Sequence, residues 1–178
     1  MMKTLLAATA IAALSAFAVP ATSHADGIEP PTNVKAWFHS LTTVVVESVY
    51  PSGVRQCSMT LLNDASMFGI TTTGSALTII WLHDEAVPHL VADTMRLQFD
   101  TREPWSVAAV PDIAATNMID SRLDDADSTR FIDEVVGAQV LHVEIAATIY
   151  AFSLEDASAA APALAACKRA LSTPPVKT

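Results

Sequence analysis

The sequence predicts an α+β domain, mainly antiparallel sheet with one short helix and a C-terminal helix packed on it, and three observations carry that expectation. Met95, Leu97 and Phe99 alternate with Arg96 and Gln98, and Leu141, Val143, Ile145, Ala147 and Ile149 alternate with His142, Glu144, Ala146, Thr148 and Tyr150. A period of two belongs to strands with one buried face. Phe131, Ile132, Val135 and Val136 instead recur at helical spacing, and Leu164, Cys167 and Leu171 do so again near the end of the chain.

Taken in order, Ile28 to Asn33, with Pro30 and Pro31, reads as an extended lead-in. From Trp37 the chain turns β-branched, through Thr42-Thr43-Val44-Val45-Val46, and reaches a turn signal at Tyr50-Pro51-Ser52-Gly53. A strand before that turn and an alternating strand after it, Cys57, Met59 and Leu61, make a hairpin. Leu77, Ile79 and Trp81 interleave with Thr78, Ile80 and Leu82, which predicts a strand covered on both faces, and Trp105, Val107 and Ala109 continue the strand pattern before Pro111. Asp127-Ser128 opens the short helix with an aspartate cap, and Gly137 stops it. Leu141 to Tyr150 reads as one long strand. Phe152 and Leu154 fall in the opposite phase, so a bend near Tyr150 and Ala151 is expected. Pro162 is tolerated only in a first turn, which places the regular start of the last helix around Ser158 to Ala161.

The ends of the chain speak about destination. Lys3, the apolar run from Leu5 to Val19, Pro20, and Ser23 and Ala25 ahead of Asp26 follow the charged, apolar, small-residue order of a secretory signal. The run is shorter than the roughly 20 residues a membrane-spanning helix needs. Cleavage is expected after Ala25, and no cysteine stands there to take a lipid. The organisation expected is therefore a signal peptide over 1–25, a single α+β domain over 26–171 and a disordered tail over 172–178, with the product periplasmic or secreted and no membrane span in the mature chain.

The whole chain has ten Lys and Arg against 19 Asp and Glu, a formal charge of -9, and losing Lys3 with the signal makes it -10. The basic residues are scattered from Lys35 to Lys177. An acidic surface without a basic cluster repels phosphate backbones, so nucleic acid is not expected as a partner.

Cys57 and Cys167 are the only cysteines. In an oxidising compartment such a pair forms a disulfide, here between an early strand and the last helix, and both positions fall on apolar faces. No C-x-x-C is present, which argues against redox catalysis.

A Trp near the mature N-terminus, the Cys57-Ser58-Met59 strand, and Phe152-Ser153-Leu154 followed by an alanine-rich helix ending in Cys167 resemble small exported bacterial proteins of unknown function. More distantly, the export signal and cysteine-bearing sheet are similar to the invasion-associated locus B family. The resemblance assigns no functional residues to this chain.

No motif gathers catalytic chemistry. His83-Asp84-Glu85 and His89 have ligand-like residue types, but the zinc helix needs histidines four apart around a glutamate, and Pro88 intervenes here. Asp120, Asp124, Asp125 and Asp127 form the densest acidic run. Taking Asp120 as first ligand of a calcium loop puts Asp125 and Phe131 where glycine and glutamate are required, so helix capping and solubility explain the run better. His142 and Glu144 are neighbours on the outward side of a strand and read as a surface pair. The glycines, Gly27, Gly53, Gly69, Gly74 and Gly137, never group to cradle a phosphate, and neither G-x-S-x-G nor S-x-x-K occurs. The sequence thus implies no catalytic residue, no metal and no cofactor. It is compatible with a non-catalytic module that binds a protein or envelope component, with a small hydrolase or isomerase whose residues meet only in space, and with an inhibitor or immunity-type protein of an envelope enzyme.

Overall fold

The structure is a computed structural model that describes residues 30–64, 66–74, 76–83, 93–111 and 118–172. Residues 1–25, where a signal peptide is expected, His89, the acidic pair after His83 and the residues beyond Ser172 lie outside the described residues. What is described is an α+β fold, mostly antiparallel sheet with two helices. The strands are β1 (Asn33–His39), β2 (Thr43–Val49), β3 (Arg55–Leu62), β4 (Ser66–Thr72), β5 (Thr78–His83), β6 (Thr94–Phe99), β7 (Trp105–Ala108), β8 (Val110–Pro111), β9 (Met118–Arg122), β10 (Val140–Ile145) and β11 (Thr148–Ser153). Helix α1 spans Asp125–Gly137 and helix α2 spans Ala157–Leu171.

The strands form two sheets where the sequence suggested one. A seven-stranded sheet runs β1-β2-β3-β4-β5-β9-β8, and a four-stranded sheet runs β11-β10-β6-β7. The hairpin around Tyr50–Gly53 is present: Val49 stands opposite Arg55, and Gly53 takes φ 82, a left-handed conformation that suits glycine. β2 is buried from Thr43 to Ser48, which is why it reads as a run of β-branched residues without alternation. β5 is likewise covered on both sides at Ile79, Ile80 and Trp81. β4 and β9 escape a periodicity reading because Ser66, Gly69 and Ser121 interrupt their apolar pattern.

One core joins both sheets. Phe68 and Trp81 of the large sheet meet Phe152 and Tyr150 of the small one, at ring distances of 5.6 Å for Phe68 with Phe152 and 4.8 Å for Trp81 with Tyr150. Phe131 of α1 fits between the layers, 6.0 Å from Phe68 and 5.5 Å from Phe99. α2 packs across β1, β2 and β3, burying Ala157, Ala160, Leu164 and Cys167. Alanine on that face keeps the helix close to the sheet, as burial of Cys167 against Cys57 requires.

Three local expectations are corrected. The long strand Leu141–Tyr150 is two strands: the chain reverses at Ala146-Ala147, both with positive φ (49 and 66), and β11 returns beside β10. Two consecutive left-handed residues are the geometry of a tight type I′ turn. Reversal, not a bend at Tyr150, turns Phe152 inward opposite Leu141. The turn was hidden because alanine disfavours this conformation and Asn-Gly normally marks it. Replacing Ala146-Ala147 by Asn-Gly should therefore raise stability by about 1 to 2 kcal/mol, seen as a higher urea midpoint at unchanged slope.

Helix α1 begins earlier than expected. Its cap is Asp124, not Asp127; the Asp124 carboxylate accepts from the Asp127 amide at 2.8 Å. Asp125 and Asp127 then lie in the first turn, where the helix dipole favours negative charge. α2 begins at Ala157, so Pro162 lies inside the helix, past the first turn. The carbonyl that Pro162 leaves without its amide partner is that of Ser158, which is exposed and can be met by water.

Candidate functional site

The two residues singled out from the sequence as partners do meet. Cys57 on β3 and Cys167 on α2 form a disulfide with a Cα separation of 6.0 Å, and both are fully buried. The bond closes a span of 110 residues. No solvent path reaches the sulfurs, so thiol exchange has no access and the bond is a staple.

His39, His83 and His142 stand on three different strands. His39 is exposed at the end of β1. His83 ends β5, where its backbone stands opposite Ser66. His142 lies on the outer face of the small sheet between Gln98 and Ala151. Its Nδ1 is buried and has no hydrogen-bond partner among the described residues. Glu144 shares that face, but its ion pair is with Arg96 at 3.1 Å, not with His142. Of the acidic run, Asp124 caps α1, Asp125 and Asp127 follow it, and Asp120 lies on β9. Among the described residues no group of three or more His, Cys, Asp and Glu converges on a common point.

A polar cluster on β1, β2 and β3 was not singled out from the sequence. Glu47 of β2 is 7 % exposed and stands directly opposite Cys57. Its Oε1 accepts from Arg55 Nε at 2.9 Å and from an Arg55 terminal nitrogen at 2.6 Å, while Oε2 accepts from Trp37 Nε1 at 3.3 Å. Lys35, in register with Glu47 on β1, places Nζ 4.0 Å from the Trp37 ring centroid, a cation–π contact. β1 skips register between Ala36 and Phe38, and this bulge turns the Trp37 side chain toward Glu47. The hairpin register was the signal: once Val49 is set opposite Arg55, Glu47 and Arg55 become diagonal neighbours on one face. Chemically the Glu47 carboxylate is held by Arg55 and the Trp37 indole. This is an ion pair that fixes the corner of the large sheet next to the disulfide.

Asp100 has a comparable anchoring role at the other sheet. It follows β6 with φ 52, and its carboxylate accepts from the amides of Gln139 at 2.9 Å and Val140 at 3.0 Å. These two hydrogen bonds, foremost the one from Gln139, hold its pKa below the usual 3.8. A depressed folded-state pKa contributes stability above the ordinary aspartate value, and that contribution is lost as pH falls through the folded value. Asp100→Asn keeps an acceptor and tolerates the left-handed backbone. Its melting temperature should therefore fall less steeply than that of the wild type on acidification from pH 5 to pH 2; parallel curves would show that Asp100 does not link the two segments.

The class defined by these features is a disulfide-bonded, two-sheet α+β fold whose main core joins the sheets. Comparison with protein-family models, with curated proteins and with solved structures gives no match.

Proposed function

We propose that the chain is an exported module that binds a protein or another component of the cell envelope without catalysing a reaction. The observation that carries this reading is the buried Cys57–Cys167 bond, because such bonds form and persist where the compartment is oxidising. The order of Lys3, the apolar run and the small residues at Ser23 and Ala25 supplies the route there. Among the described residues, no helix is long and apolar enough to cross a membrane. The Glu47 carboxylate is taken up by hydrogen bonds from Arg55 and Trp37, a structural role that suits a scaffold.

The test separates location from chemistry. Protein recovered from the envelope fraction is expected to begin at Asp26; an intact Met1 or a lipid-modified N-terminus would contradict export. Single alanine variants of His39, His83, His89 and His142 should each restore whatever phenotype a deletion strain shows. Failure of one variant that folds and accumulates normally would replace the binding module by an enzyme.

A further inference from the structure

We draw no further inference here: the strongest candidate, the face of the large sheet opposite Phe68 and Trp81, where Val44, Val46, Thr60 and Ile80 are buried in one row across β2 to β5, carries nothing because nothing among the described residues shows what covers it.

Discussion

Cys57→Ala and Cys167→Ala should each lower the free energy of unfolding by about 2 to 5 kcal/mol, and by nearly the same amount as each other. The equality matters because either change removes the same cross-link between β3 and α2. Closing a 110-residue span limits the unfolded chain strongly, and chain entropy alone allows roughly 4 to 5 kcal/mol, with native strain and residual denatured structure reducing it. Both sulfurs are also buried, so alanine leaves a small void at each site. The measurement is urea unfolding of the two variants beside the oxidised parent. A difference of more than about 2 kcal/mol between the two variants would mean that packing, not the bond, dominates at one site.

Phe131→Ala should cost about 3 to 5 kcal/mol, the range for truncating a large buried aromatic. Phe131 is fully buried and touches Phe68 of the large sheet and Phe99 of the small one, so its loss opens the space where the two sheets and α1 meet. The neighbours that could collapse inward are held by separate sheets, which limits relaxation. Phe131→Leu should cost less than half as much, since it keeps most of the apolar volume. Equal losses for both would show that ring geometry, and not volume, holds the junction. Near-UV circular dichroism should lose intensity in the alanine variant while the far-UV spectrum keeps its strand and helix signal.

What the sequence disclosed follows the physics of each element. β6, β7 and β10 have one buried face and were legible from alternation, because Met95, Leu97, Phe99, Trp105, Val107, Leu141 and Val143 all point inward. The hairpin of β2 and β3 was legible from Gly53 and the proline before it. The disulfide was legible from two cysteines on apolar faces. β4 and β9 were not, because their inward rows mix serine and threonine with Phe68, Ile70 and Ile119. The turn at Ala146-Ala147 was not, because the residues there resist the conformation they adopt. The Glu47–Arg55–Trp37 cluster depends on register between strands, a relation that composition does not carry.

The account turns on an exported chain closed by one buried disulfide. Peptide mapping of unreduced protein from the envelope fraction, with free thiols alkylated before digestion, tests this most directly. The account predicts a Cys57–Cys167 linked peptide pair, an N-terminal peptide that begins at Asp26 and no alkylated cysteine. Two alkylated cysteines, or an N-terminal peptide that still carries Met1, would contradict it.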